Sequence, residues 1–415
     1  MTLKQRIRPI TVRIMLLFSI LGPGLIAASA DNDAPGIATY SIAGSAYGYH
    51  FVSFILLVTL GEVVVQEMAA RMGAITGKGT ADLIRERFGL RVTSFAMFCL
   101  LLANLGTTAA QLAGVAAASE LFGISRYVAV PLAALFVAGL GLSGTYGQVE
   151  KVLLALSLSE LSYVAAVLAI HPPWADILRQ VARPTLQTDA HYLLTLLATI
   201  GTTVAPWSIV YVQASVADKG LSKDVYRQTR FDVVSGATLG NLVSACIVIC
   251  TGATLFPMGL RVSSAAQAAL ALEPLAGPWA RTFFAAGLLG ASTLATSVLP
   301  LSTAYAVCEG LGWERGLNRG RADAPVFYNL YAGMIAVSAL AVLIPGVPLF
   351  SLMWLSQAAN AIFLPVLLIL LLRLANSKQL MGTWTNSSLQ NALVSGLTAI
   401  VAAVTLVLIA SPWLP

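Results

Sequence analysis

Long apolar runs separated by short polar punctuation make up almost the whole chain. Eleven of them approach or exceed the roughly 20 residues needed to cross about 30 Å of hydrocarbon. They cover residues 14–43, 50–71, 93–119, 127–147, 151–171, 191–217, 231–257, 279–311, 326–345, 347–375 and 389–411. Lipid offers the backbone no hydrogen-bond partner, so a spanning run must close its bonds internally as a helix or within a barrel. No strand-length alternation is present. The pattern predicts an all-α polytopic membrane protein of about 11 transmembrane helices.

Two runs carry polar interruptions. The first reads ASADNDAPGIATYS at 28–41, with Asp31, Asn32, Asp33 and a Pro-Gly pair in its middle; the sixth reads TIGTTVAPW at 199–207. A charge near the bilayer centre costs at least about 2.5–3.5 kcal/mol, so such a residue is expected to do work. Ala34-Pro35 and Ala205-Pro206 lie 171 residues apart, five runs on. An odd number of crossings per repeat puts two copies in opposite orientations. Matched Gly/Pro-interrupted segments in two halves point to a midplane transport site. The expected organisation is a first inverted repeat over 1–171, a second over 191–375 and an extra helix at 389–411.

Composition agrees with this reading. The 415 residues are 58% hydrophobic and 10% charged, with mean hydropathy +0.82, where a soluble domain carries about 25% charged residues. The net charge of +6 is small and calls for no nucleic acid. Its distribution sets an orientation. With the N-terminus inside, only Arg126, Arg179, Arg183, Arg261 and Arg281 of the 24 Lys and Arg fall outside, as the positive-inside rule requires. Eleven crossings then leave the C-terminus outside. The start, MTLKQRIRPITVR, has no cleavage-site pattern of a removable signal peptide. Cys99, Cys246, Cys250 and Cys308 all lie in apolar runs and read as small buried thiols.

Where a helix unwinds at the midplane, freed carbonyls can face a cation, and a neighbouring carboxylate supplies charge. Asp33, directly before Ala34-Pro35, is placed for that role. Asp31 and Asn32 adjoin it, but sequence neighbours on a helix point in different directions, so one direct carboxylate ligand is expected. Here a resemblance becomes specific. GPGLIAASADNDAPGIATYS (22–41) resembles the first helix of the Nramp family of divalent-metal transporters. QEMAARMGAITGKG (66–79) resembles the family's stretch after helix 2, SVLPLSTAYAVCEGLGWERGL (297–317) helix 8 of divergent bacterial members, and FLPVLLILLLRLANSKQLMG (363–382) the end of helix 10. The resemblance implies a LeuT-like fold, a five-plus-five inverted repeat with helices 1 and 6 broken, and a transported metal ion rather than a cofactor.

The departures carry further expectations. Asp33 keeps the family's metal-binding aspartate, whereas Gly36 stands where an amide ligand is expected. Ala205 and Trp207 replace the methionine and histidine of the sixth helix. Asn104, Gln111 and Gly114 occupy positions where the family has carboxylates on the third. Without a thioether, carboxylate, carbonyl and water ligands suit Mg, Ca and Mn, and small Gly36 and Ala205 suggest a larger pocket for an ion that keeps some waters. This pattern resembles the Nramp-related magnesium transporters. By position, the carbonyls of Ala30 and Thr202 match the family's ligands, and Asn360, with Gln357 behind it, is the polar candidate on the tenth helix. Glu62 and Glu160 are intramembrane acids open to a secondary ion-binding or proton-path role.

These readings converge on a divalent cation transporter of the bacterial cytoplasmic membrane. Its substrate is expected to be Mg²⁺, with Mn²⁺ accepted, driven by the membrane potential without protons. A monomer is plausible. The rivals are a proton-coupled Mn²⁺/Fe²⁺ symporter using Glu62 or Glu160, and a transporter of small organic solutes on the same fold. No nucleophile–base set or nucleotide loop points to an enzyme.

Overall fold

A computed structural model of the protein describes residues 32–143, 161–316 and 320–410. Its principal helices are α1 (Ala34–Tyr47), α2 (His50–Thr76), α3 (Thr80–Leu121), α4 (Arg126–Ser143), α5 (Leu161–Ile170), α6 (Trp174–Ala182), α7 (Ala190–Thr203), α8 (Pro206–Asp218), α9 (Tyr226–Thr254), α10 (Ala280–Leu311), α11 (Pro325–Leu343), α12 (Leu349–Ala375) and α13 (Ser388–Ala410). Among the described residues, eight spans are long and apolar enough to cross a membrane, with α7 and α8 together forming one of them. Where the apolar runs fall within the described residues, they form helices. Residues 1–31 and 144–160 lie outside the described residues, and with them Ala30, Asp31 and Glu160.

The additions to the expected pattern are amphipathic and short. Residues Thr80 to Phe88, rich in Arg and Glu, form a separate turn of helix merged into α3, ended by Gly89 at φ 76° and ψ 174°. That left-handed conformation favours glycine because it has no Cβ. α6 runs along the Arg179-bearing end of the bundle with Ile177 as its buried residue. Neither segment is membrane-length, and neither was visible as an apolar run.

α1 occupies the centre, packed by α9, α12, α7, α3, α10 and α2. Its residues from Ala34 to Ser45 are buried all round, which small side chains permit by letting backbones approach closely. α3 lies against α10, α11 and α12, while α13 covers the outside of α2, α7 and α12. The stretch after Glu62 clamps this outer helix. Arg71 donates to the Trp384 and Thr385 carbonyls at 3.0 and 3.2 Å, and Gln390 donates to Glu67 at 2.8 Å. Glu309 near the end of α10 accepts the Asp82 N–H at 3.0 Å. Gly79, whose missing Cβ leaves room for the Glu309 carboxylate, brings two of the motif stretches together at one end of the bundle.

Candidate functional site

The sequence places a helix start inside the first apolar run, and the backbone explains it. Asp33 is extended (φ −86°, ψ 177°), Pro35 lies in the first turn of α1, and the Asp33 side chain caps the helix. Its Oδ1 accepts the Gly36 N–H at 2.8 Å, satisfying one of the donors a helix N-terminus leaves open. The other carboxylate oxygen accepts from Gln111 Nε2 of α3. Asp33 is 3% exposed and, among the described residues, forms no ion pair with Lys, Arg or His. A buried carboxylate held only by neutral donors is stabilised by a bound cation or proton.

The second interruption is complete. α7 ends at Thr203, Val204 and Ala205 leave the helical region (φ −113°, ψ 67° and φ −72°, ψ 128°), and Pro206 opens α8. Proline has no N–H to continue the ladder and pushes its predecessor into extended backbone. The C-terminus of α7 and the N-terminus of α8 therefore face each other across a two-residue gap, at the level of the α1 start. Tyr40 of α1 hydrogen-bonds Thr203 at 2.9 Å and fixes this alignment.

Consecutive residues at the α1 start serve opposite sides. Asp33 turns to Gln111 on α3. Asn32 turns to α9, donating to the Gly240 carbonyl at 3.1 Å and accepting from Ser244 at 3.0 Å. On the α3 side the polar line continues through Thr107, which donates to Asn360 Oδ1 at 3.1 Å, and Asn360 donates to Gln357 at 3.0 Å. Asn104 donates to Thr303 of α10 at 2.7 Å. The buried Gln111 Oε1 and Asn104 Oδ1 accept no hydrogen bond. These are unsatisfied oxygens of the kind that accept a cation or a water.

Gly114 has a packing reason. A Cβ there would overlap the Ala34 methyl and the Ser292 hydroxyl, so α1, α3 and α10 meet where any larger residue is excluded. Gly201 acts likewise between α7 and α12, its missing Cβ making room for the Gln357 carbonyl. That contact brings the Asn360-bearing helix beside Thr202.

Two expectations change. Gly36 contributes its N–H to Asp33 rather than empty space. The Ala205 methyl packs in an apolar cluster with Trp207, Leu294, Val298, Leu299 and Met334. The room expected at Ala205 is taken by these neighbouring side chains, which sequence spacing alone could not reveal. Trp207 is accordingly buried packing, 1% exposed. Thr202 faces a cavity shared with Asn32, Glu62 and Asn241 rather than the Gln111 side. His50 and His191 open α2 and α7, and His171 follows α5, so all three lie at helix ends. The four cysteines are buried and unpaired. Among the described residues no three His, Cys, Asp or Glu side chains converge on one point. Among the described residues, an ion here would meet amide, carbonyl and hydroxyl oxygens around a single carboxylate.

A bundle of membrane-spanning helices closed around an interrupted pair, with a buried carboxylate at the interruption, defines a membrane transporter and not an enzyme. The chain belongs to the Nramp family: the model described as natural resistance-associated macrophage protein-like matches residues 24–411. Among similar curated proteins is divalent metal cation transporter MntH 1 of Pseudomonas aeruginosa, 29% identical over 421 residues, covering 96% of this chain and 92% of that one. A second, divalent metal cation transporter MntH of Erwinia tasmaniensis, is 29% identical over 290 residues and covers 68% of this chain and 70% of its own. Among solved structures, the Eremococcus coleocola manganese transporter bound to an aromatic bis-isothiourea compound superposes with a TM-score of 0.78. It is 21% identical and the match covers 95% of this chain and 87% of that one. The nucleobase-cation-symport-1 transporter Mhp1 in a closed conformation superposes with a TM-score of 0.55 at 16% identity, covering 95% and 92%. The fold is thus the LeuT-like one.

Proposed function

We propose that this protein carries divalent cations, Mg²⁺ foremost and Mn²⁺ also, into the bacterial cytoplasm. It does so by alternating access around the α1 start and the α7–α8 interruption, as a branch of the Nramp family specialised for hard ions. The observation that carries this reading is the Asp33 carboxylate, buried beside the helix break, where among the described residues the Gly36 N–H and the Gln111 amide donate to it. Its polar surroundings are oxygen and amide groups, a donor set suited to Mg, Ca and Mn over softer metals. The Ala30 carbonyl and the Asn360 amide complete the proposed ligand set, while Thr202 lines the Glu62 cavity.

Uptake needs no proton in this scheme. Gln111 and Asn104 are neutral at positions the family resemblance marks as acidic, and the histidines lie at helix ends. An inward membrane potential supplies about 2.3 kcal/mol per charge per 100 mV, so roughly 4.6 kcal/mol for a divalent ion. The positive-inside distribution supports an inner-membrane protein with a cytoplasmic N-terminus and an external C-terminus.

A proton-coupled manganese symporter is the second reading, favoured by the printed descriptions of the relatives and by the buried acid Glu62. An organic-anion transporter is disfavoured, because Asp33 would repel the substrate. Flux into proteoliposomes with an internal pH dye decides between them. We expect Mg²⁺ and Mn²⁺ entry that scales with an imposed negative potential and leaves internal pH unchanged. Acidification accompanying metal entry refutes the uncoupled mechanism, and Mn²⁺ entry without Mg²⁺ refutes the hard-ion preference.

A further inference from the structure

A second charged position lies across α1 from Asp33. Glu62, in the middle of α2, is 3% exposed. Its Oε1 accepts from Gln66 Nε2 at 3.0 Å, and Gln66 is anchored by Ser208 in the first turn of α8 at 2.8 Å. Its Oε2 accepts from Asn241 Nδ2, and the same nitrogen donates to the Ala237 carbonyl at 3.0 Å. That backbone bond fixes which end of the Asn241 amide is the donor. Oε2 therefore faces an N–H group, and Oε1 faces the Gln66 amide nitrogen, the partner set of an ionised carboxylate. Among the described residues no Lys, Arg or His pairs with it. A buried charge without a counter-charge is strongly unfavourable.

Beside Glu62 is a small cavity of about 10 Å³, whose walls include Asn32, Thr202, Asn241 and Ser244, close to the space one water-sized sphere requires. The lining offers amide and hydroxyl oxygens and no sulfur or imidazole. Thr202 belongs to the last turn of α7, where unpaired carbonyls give the helix end a partial negative charge. Ser244 donates to Asn32 at 3.0 Å and has the Gly240 carbonyl at 3.3 Å as an alternative acceptor, so Asn32 Oδ1 is freed without losing a hydrogen bond.

The geometry points to a monovalent cation site, of Na⁺ size, formed by Glu62, Asn32, Thr202, Asn241 and Ser244 between α1, α2, α7 and α9. One carboxylate matches one positive charge. The cavity admits an ion only after it sheds its water, which Mg²⁺ does reluctantly. Oxygen ligands at a broken helix are the setting in which transporters of this architecture hold Na⁺ or H⁺. Asn32 precedes Asp33, so a cation on Asn32 ties the α1 start to α9 and holds Asp33 in its capping position. Na⁺ occupancy is thus expected to raise divalent-ion affinity.

The test uses the purified full-length protein in detergent, in NaCl, KCl or choline chloride at constant ionic strength without divalent ions. We expect a saturable rise in Tm of about 2–4 °C with Na⁺ alone, and saturable ²²Na⁺ binding. Glu62→Gln should abolish both, and Ser244→Ala should weaken ²²Na⁺ binding about tenfold. Asp33→Asn should retain both, which separates this site from the proposed divalent one. Equal stabilisation by the three salts overturns the inference, as does an unchanged Na⁺ response in Glu62→Gln. Stabilisation by acid in place of Na⁺ also overturns it, because Glu62 would then hold a proton. Should Glu62→Gln fail to fold, ²²Na⁺ binding to the wild type and Ser244→Ala still decides.

Discussion

Asp33 has two jobs that substitution can separate. It caps α1 through Gly36, and it supplies the charge at the helix break. Asparagine caps as well as aspartate does but carries no charge. Asp33→Asn is therefore expected to fold normally and to lose divalent flux at least about tenfold, measured in proteoliposomes beside a Tm determination. Asp33→Ala removes the cap too and should also lower stability by about 0.5–2 kcal/mol. Gln111 holds the second Asp33 oxygen and keeps the pair neutral apart from one charge. Gln111→Glu places two carboxylates side by side, and such pairs retain a proton near neutrality. Metal flux should then fall more steeply than in the wild type as pH drops and the shared proton competes with the ion. A flat profile in Gln111→Glu would show that residue 111 does not face the ion.

At the level of elements, the transport centre is an arrangement of helix ends made possible by small residues. Pro206 forces the α7–α8 gap, and Gly114 lets α3 reach α1 and α10. Gly114→Val forces side chain into an occupied crossing, and overpacking of this kind costs about 1–3 kcal/mol. A lowered Tm with loss of flux is expected, and an unaltered Tm would show that the three helices do not meet there. Ala205→Met is expected to act through the same physics. Its side chain must enter the cluster with Trp207 and Met334, so reduced Mg²⁺ uptake should come with reduced stability.

Over the whole molecule, the distribution of Lys and Arg makes a topological prediction. A membrane-impermeant maleimide applied to intact cells should label Ser263→Cys and leave Arg321→Cys unlabelled until the cells are lysed. The four native cysteines are buried and give little background. The opposite labelling pattern would invert the proposed orientation and, with it, the direction in which the membrane potential drives the ion.

Much of the architecture was written in the apolar pattern, because lipid leaves a spanning backbone few options and the runs fix where helices lie. The two interruptions were equally plain, since Pro and Gly act through local backbone geometry. So was Asp33, whose charge inside an apolar run demanded a purpose. Only the tertiary structure decided what each polar side chain meets. Asn32 and Asp33 are neighbours in sequence but serve α9 and α3. Ala205 looks like open space in the sequence, and the fold packs it against Trp207 and its neighbours. Glu62 is one acid in an apolar run until α9 and α7 bring Asn241 and Thr202 to the same cavity. Periodicity fixes the helices because it acts over a few residues, while the sites depend on contacts hundreds of residues apart that only packing can set.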